Sequence, residues 1–141
     1  HECSGDDGPG DRIRKIRVQK SLTITELAEM INMSPVTIMN IEAGRNPSIV
    51  TLRKLSSVLN VPIAYIGKFE KMPENNLGQK IQKARFYHGL MVNELAQQLG
   101  VNPHTLISWE KNRHMPSFDY IKRLDTYFQE MANINSFLLR Q

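Results

Sequence analysis

The sequence predicts an all-α protein made of two tandem copies of one small helical domain. The first observation is a pair of short amphipathic helices with a tight turn between them, in residues 91–113. The second is an internal repeat, because a shift of 68 residues places Glu26 on Glu94 and many of their neighbours on identical residues. The third is that cap and turn residues recur at matching places in the two halves.

The helix pair is defined by its apolar spacing and by its turn. Leu95 and Leu99 are four residues apart, so they share one helical face while polar residues fill the other. Gly100 follows, where a left-handed residue ends many helices and glycine adopts that conformation without strain. Asn102 is a good N-cap for the second helix, and proline follows it at the first helical position. Two helices joined by such a turn form a helix-turn-helix unit.

The internal repeat extends beyond this unit. Glu26-Leu27-Ala28 falls on Glu94-Leu95-Ala96, and an extra residue, Met115, then increases the shift to 69, so that Pro47-Ser48 matches Pro116-Ser117. The identities at the shift of 68 also include Ile13 with Ile81, Lys15 with Lys83, Arg17 with Arg85, Pro35 with Pro103, Thr37 with Thr105, Glu42 with Glu110, and Arg45 with Arg113. We therefore predict a tandem duplication.

Each copy is predicted to contain four or five helices. Serines and an asparagine precede several of them as N-caps. In the first copy the helices are placed at 11–19, 24–31, 35–43 and 49–59, with a short fifth helix in 61–66, and in the second copy at 78–87, 92–99, 103–111 and 118–128; the proposed caps are Ser34, Ser48, Asn102 and Ser117.

These helices divide the chain into four regions and a C-terminal segment. Residues 1–10 are predicted to be a disordered lead-in, because they are rich in glycine and acids and lack an apolar face. Residues 11–66 form the first domain with its motif at 23–42, residues 67–76 form a linker, and residues 77–141 form the second domain with its motif at 91–110. Ten extended linker residues would reach about 33–36 Å, close to one turn of B-DNA at about 34 Å.

Residues 129–141 carry apolar side chains at helical spacing, namely Met131, Ile134, Phe137 and Leu138. An amphipathic helix here would either close the core of the second domain or form the contact of a homodimer. The sequence leaves both alternatives open.

The motif residues of the second copy resemble the Xre-type, or lambdoid phage repressor, helix-turn-helix family. The similarity spans roughly residues 77–128 and is carried by Glu94-Leu95-Ala96, Gly100-Val101, Pro103, Thr105-Leu106, Ser108-Trp109-Glu110-Lys111-Asn112-Arg113 and Met115-Pro116-Ser117. The resemblance implies two lambda-repressor-like domains. It also implies sequence-specific binding of double-stranded DNA in transcriptional control, in a bacterium, a phage or a mobile element. In such proteins helix 3 lies in the major groove.

The resemblance also implies roles for individual residues. The pairs Arg17 with Glu42 and Arg85 with Glu110 occupy positions that form a structural ion pair between helix 1 and the end of helix 3. The expected DNA contacts are Ser34, Val36, Thr37, Asn40, Arg45 and Asn46 in the first copy, and Asn93, Asn102, His104, Thr105, Ser108, Lys111 and Arg113 in the second.

The second copy is expected to contribute more than the first to recognition of the DNA sequence. Its candidates Asn102, His104 and Ser108 can donate or accept hydrogen bonds at base edges. In the first copy, Val36 and Met39 offer only apolar contact, for instance to a thymine methyl.

One departure from the family favours a different function. Ile24 and Val92 start helix 2, where the family commonly has a glutamine that grips a phosphate. Only the backbone N–H groups of helix 2 remain for that contact. Two exposed β-branched residues could instead mark a protein-contact surface, so the alternative is an interaction adaptor or an antitoxin-like module.

Composition adds weaker constraints. The chain has 141 residues and a net charge of +4, and both copies have more lysine and arginine than acids, which suits a polyanionic partner. A single cysteine and no long apolar run indicate a cytoplasmic protein that does not span a membrane. No catalytic, metal-binding or cofactor motif is recognisable, and no small-molecule ligand is evident, so we do not expect an enzyme.

Overall fold

The computed structural model describes residues 8–140, and this part of the chain contains nine α-helices, one 3-10 helix and no strand. The predicted all-α fold is confirmed. Contacts divide the chain into two compact units, His1–Lys68 and Phe69–Gln141. Residues 1–7 of the predicted lead-in, 1–10, lie outside the described residues. The prediction is wrong for Pro9 and Gly10, because both belong to the first helix.

The first unit contains five helices: α1 (Pro9–Gln19), α2 (Ile24–Met30), α3 (Pro35–Glu42), α4 (Ile49–Leu59) and α5 (Ile63–Gly67). Local capping explains where several of them begin. Thr23 Oγ1 accepts from the N–H of Glu26 at 3.0 Å, and Glu26 Oε1 accepts from the N–H of Thr23 at 2.8 Å. Ser48 Oγ accepts from the N–H of Thr51 at 3.2 Å, and Asn60 ends α4 in the left-handed conformation.

The core of the first unit consists of aliphatic side chains from all five helices. Each lies at the helical position that its periodicity predicts. The fully buried members are Ile13, Leu27, Ala28, Ile38, Leu55, Leu59, Ala64 and Ile66.

The second unit contains four helices: α6 (Leu77–Tyr87), α7 (Val92–Leu99), α8 (Pro103–Glu110) and α9 (Phe118–Leu139). The first three repeat the lengths of α1, α2 and α3 to within a residue. Gly100 ends α7 with a φ of 75°, as its position in the sequence predicts. The buried hydrophobic side chains on these four helices are Ile81, Ala84, Tyr87, Leu95, Ala96, Leu99, Leu106, Trp109, Leu124, Phe128 and Met131.

The C-terminal part of the second unit differs from the prediction. Helix 4 does not stop at Phe128, because α9 continues as one helix of 22 residues to Leu139. No glycine or proline interrupts it, and its buried stripe runs on from Leu124 and Phe128 to Met131. The first part of the segment 129–141 therefore closes the core of its own unit. Leu139 remains 87% exposed.

The segment predicted as a linker, residues 67–76, is partly folded. Phe69–Lys71 forms a 3-10 helix, and the buried ring of Phe69 meets Phe86 edge-on at 5.2 Å between centroids. Lys83 on α6 is also buried, with its ammonium 2.7 Å from Glu74 Oε2. These contacts hold the chain from Phe69 onwards against the second unit. The distance estimated for ten fully extended linker residues therefore does not describe this segment.

The buried phenol of Tyr87 predicts a loss of stability in alkali. Burial, and then the negative charges of Glu70 and Glu74, raise the pKa of Tyr87 to about 12. An unfolded tyrosine ionises near pH 10, so the folded state holds this proton more tightly. The contribution of Tyr87 is therefore present below pH 10 and should be lost as the pH rises from about 10 to about 12.

The measurement is chemical denaturation at a series of pH values, with Tyr87→Phe as the control. The phenol also donates a hydrogen bond to Asn135 on α9, so the variant should be less stable near neutral pH. Its stability should nevertheless fall less than that of the parent chain between pH 10 and 12. Parallel pH curves for the two proteins would contradict the assignment.

Candidate nucleic-acid interface

Helices α3 and α8 have the same construction at the same place in each unit. Both have eight residues and begin with proline. Ser34 Oγ accepts from the N–H of Val36 at 3.1 Å, and Asn102 Oδ1 accepts from the N–H of His104 at 2.8 Å. In each cap the side-chain oxygen accepts one backbone N–H, so the Ser34 hydroxyl can still donate, and Asn102 retains its Nδ2 donor and a second lone pair on Oδ1. The inward residues are Ile38 and Ile41 on α3, and Leu106 and Trp109 on α8.

The outward face of α8 is polar. His104 and Thr105 are exposed and Ser108 is half-buried. These three side chains line one shallow concavity together with His114. The sequence analysis does not name His114 as a candidate. The repeat nevertheless contained a signal, because the shift of 68 places His114 on Asn46, which is one of the candidate residues.

The outward face of α3 has a different chemistry. Val36 is 57% exposed and Met39 is 52% exposed, and both lie beside the exposed Asn40. Thr37 is half-buried. A second concavity is lined by Thr37, Asn40, Arg45, Asn46 and residues at the start of α4.

The charges around both helices favour an anion. Arg45 follows α3, and Lys111 and Arg113 follow α8, and all three are exposed. The only acid on each helix is its last residue, Glu42 or Glu110. The negative charge of each carboxylate is balanced by an arginine that is bonded to it, so it would not repel an anion such as a phosphate.

Arg17 holds Glu42 in the first unit. Its Nε lies 2.7 Å from Glu42 Oε2 and its Nη2 lies 3.1 Å from Oε1. Its Nη1 donates to the carbonyl of Leu22 at 2.8 Å. The hydrogen bond to Glu42 raises the pKa of Arg17 above its ordinary value. The guanidinium thus ties α1, the turn before α2 and the end of α3 together.

Arg85 makes the same set of bonds in the second unit. Its Nε lies 2.7 Å from Glu110 Oε2, its Nη2 lies 3.1 Å from Oε1, and its Nη1 donates to the carbonyl of Leu90 at 3.0 Å. The pair connects α6 to the C-terminal end of α8, and little of either side chain is exposed to solvent.

A repeated glycine brings helix 1 of each unit against the end of helix 3. A Cβ on Gly10 would lie 2.1 Å from the carbonyl oxygen of Ile41. A Cβ on Gly78 would lie 2.5 Å from the carbonyl oxygen of Glu110 and 2.6 Å from that of Trp109. The sequence analysis names neither glycine, although their recurrence at the shift of 68, Gly78 at the start of a predicted helix and Gly10 just before one, was a visible signal.

In the second unit the side chain of Asn112 also connects the end of α8 to the start of α6 by hydrogen bonds. Asn112 has a φ of 60°, and its Oδ1 accepts from the N–H of Gly78 at 3.0 Å. Its Nδ2 donates to Asn76 Oδ1 at 2.9 Å, and that same oxygen caps α6 through the N–H of Gln79. The matching residue in the first unit, Gly44, has no side chain for these bonds.

The start of helix 2 in each unit carries a carboxylate beside its backbone N–H groups. Glu26 and Glu94 accept from the backbone N–H groups of Thr23 and Met91, respectively, which places a negative charge at the N-terminus of α2 and of α7. Asn93 is exposed there. Ile24 and Val92 are half-buried, so they do not form the exposed apolar surface that would favour protein contact.

Comparison with known proteins relates this geometry to a family. Residues 13–66 match the family model described as Helix-turn-helix, HTH_3. These residues form a helix-turn-helix domain. The chain is also similar to the "Uncharacterized HTH-type transcriptional regulator RghRB" of Bacillus subtilis (strain 168), with 27% identity over 132 residues, which is 88% of this chain and 91% of that protein. No solved structure matches the chain significantly.

No helix within residues 8–140 combines the length and the apolar character needed to cross a lipid bilayer.

Proposed function

We propose that this protein is a non-enzymatic transcriptional regulator that binds double-stranded DNA in a sequence-specific manner. The observation that carries the proposal is the helix-turn-helix domain at residues 13–66, together with an α8 that repeats the caps, buried positions and ion pair of α3. The name of the Bacillus relative, a transcriptional regulator of the same type, supports it.

In this proposal helix 3 of each unit enters the major groove. Its inward side is fixed by the core and by an arginine at its C-terminal end, so its N-terminal, outward side chains are presented to the DNA. The basic residues beyond each helix, Arg45, Lys111 and Arg113, would contact phosphates.

The second unit carries most of the base readout by hydrogen bonding. His104, Thr105 and Ser108 line one surface and can each pair with a base edge. The helices α3 and α8 differ at the outward positions, so a single chain would read two unlike half-sites. A symmetric operator would require two copies of the chain, and the exposed end of α9 at Leu139 is our candidate for that homodimer contact.

The test is a selection of bound sequences from random duplex DNA, with the intact chain and with His104→Ala. We expect one enriched motif, and we expect the variant to lose its preference at one or two base pairs, since each good pairing gives about 1–3 kcal/mol of discrimination. Asn133→Ala, an exposed change on α9, should leave the motif intact and serves as the control.

The outcome of that selection separates two functions. Specific binding should weaken with salt in proportion to the phosphates contacted. No enrichment, with weak binding that disappears by about 0.2 M salt, would leave only non-specific electrostatic attraction. The function would then be that of a protein-interaction adaptor, for which the exposed apolar residues Val36 and Met39 of the first unit and Leu139 of the second are the residues to examine.

A further inference from the structure

We propose that the first unit recognises thymine methyl groups in the major groove through Val36 and Met39. The inference rests on the proposed function and adds to it the chemical class of base feature that α3 reads. It begins from the matching construction of α3 and α8. Because caps, buried residues and ion pairs coincide, a difference between their outward faces reflects a difference in what each helix contacts.

The outward faces do differ in chemistry. Val36 and Met39 are three residues apart, so they lie on one side of α3, and both are more than half exposed. The matching positions on α8 hold the exposed His104 and the half-buried Ile107. At the first position α3 offers an apolar side chain where α8 offers a hydrogen-bonding imidazole. At the second position both side chains are apolar, but Met39 is exposed and Ile107 is half-buried.

The surroundings of this apolar pair favour DNA over a protein partner. Asn40 beside it is polar, and Arg45 just beyond the helix is exposed. The only carboxylate on the helix, that of Glu42, is bonded to Arg17. An apolar pair flanked by an amide and by one exposed guanidinium complements a surface that is anionic at its edge and apolar at its centre. In the major groove the apolar group on base edges is the C5 methyl of thymine.

The experiment replaces single thymines by deoxyuridine, which removes only the methyl group, in the duplex selected by the full chain. Dissociation constants are then measured for each duplex. We expect about a fourfold loss of affinity for each methyl that Val36 or Met39 contacts, which is the effect of burying one such group. Thymines outside the site of the first unit should show no loss.

Variants assign the effect to the two side chains. Val36→Ala combined with Met39→Ala should bind the thymine and deoxyuridine duplexes equally at the affected positions, whereas His104→Ala should retain the fourfold difference. Both changed residues of the first variant are exposed, so circular dichroism should show it folded. A second variant, Val36→Thr, replaces one γ-methyl by a hydroxyl at nearly the same volume, and should reduce the difference.

Two results would overturn the proposal, and they are distinguishable. An enriched DNA motif in which no deoxyuridine lowers affinity, or in which the loss persists in the double variant, would overturn methyl recognition and leave DNA binding intact. The absence of any enriched motif would overturn the proposed function as well, and would assign the apolar pair to contact with a protein.

Discussion

Replacing Arg85 with alanine is expected to lower the free energy of unfolding of the second unit by about 3–5 kcal/mol. The guanidinium makes two bonds to Glu110 and one to the carbonyl of Leu90. Both charged side chains are enclosed, with 9% and 7% of their surfaces exposed. Removal of the arginine leaves a carboxylate that is held away from water with no cation beside it. The desolvation cost of that charge, rather than the lost attraction alone, produces the large effect.

Tryptophan fluorescence can follow this change in the second unit alone. The chain contains one tryptophan, and Trp109 is buried beside Tyr120 on α9, with 5.3 Å between ring centroids. Urea denaturation of Arg85→Ala should therefore move the Trp109 transition to a lower concentration. Arg113→Ala, an exposed arginine in the same unit, should leave it within about 0.5 kcal/mol of the parent.

A second comparison identifies the buried charge as the cause. Arg85→Met combined with Glu110→Leu removes both charges and should recover most of the lost stability, since apolar replacements of buried pairs are often neutral. A shift of less than about 1 kcal/mol in Arg85→Ala would mean that water or another cation reaches Glu110. The ion pair would then not be the anchor of α8.

The local features of the fold were predictable because their causes are local. N-caps such as Ser34, Ser48 and Asn102 act within two or three residues, and each bonds the N–H that its position predicts. Gly100 adopts a φ of 75°, as its position after α7 predicts, and Asn32, which the shift of 68 places on Gly100, has a φ of 58°. Helical periodicity then indicates which face is inward, since apolar residues recur every three or four positions.

The missed features depend on contacts between residues far apart in sequence. Phe69 follows a helix end and precedes polar residues, so its own segment resembles a linker until the ring is placed against Phe86. The continuous α9 is similar, because only the burial of Met131 distinguishes a longer helix 4 from a separate segment. The partners of Asn112 are 34 and 36 residues away.

The candidate site was predictable in part for the same reasons. The outward residues of α3 and α8 follow from helix phase once the inward ones are known, and both arginine–glutamate pairs are implied by the resemblance to the family. The grouping of His114 with Ser108 in one concavity does not follow from helix phase, because His114 lies beyond the end of α8. The contribution of any of these residues to DNA binding stays a prediction.

Gly78→Ala is expected to destabilise the second unit by about 1–3 kcal/mol, even though alanine is the better helix former. The propensity gain within a helix is at most about 1 kcal/mol. Against it, the added Cβ would lie 2.5 and 2.6 Å from two backbone carbonyl oxygens at the end of α8. Backbone atoms cannot rotate away as a side chain would, so α6 and α8 must separate, and the overpacking cost exceeds the propensity gain. The Trp109 transition in urea measures the result.

The matching glycines of the first unit provide the comparison that isolates the clash. Gly10→Ala should cost at least as much as Gly78→Ala, because its Cβ would lie 2.1 Å from the carbonyl oxygen of Ile41, and it should leave the Trp109 transition unchanged. Gly8→Ala, two residues earlier, places its Cβ in open space, so it should lose only the small advantage of glycine as an N-cap. Equal effects of Gly8→Ala and Gly10→Ala on the circular dichroism melt would show that helix 1 does not lie so close to helix 3. The close approach of α6 to α8 at Gly78 also fixes the position of α8 in its unit. Under the proposed function, Gly78→Ala should therefore weaken DNA binding at temperatures where the chain remains folded.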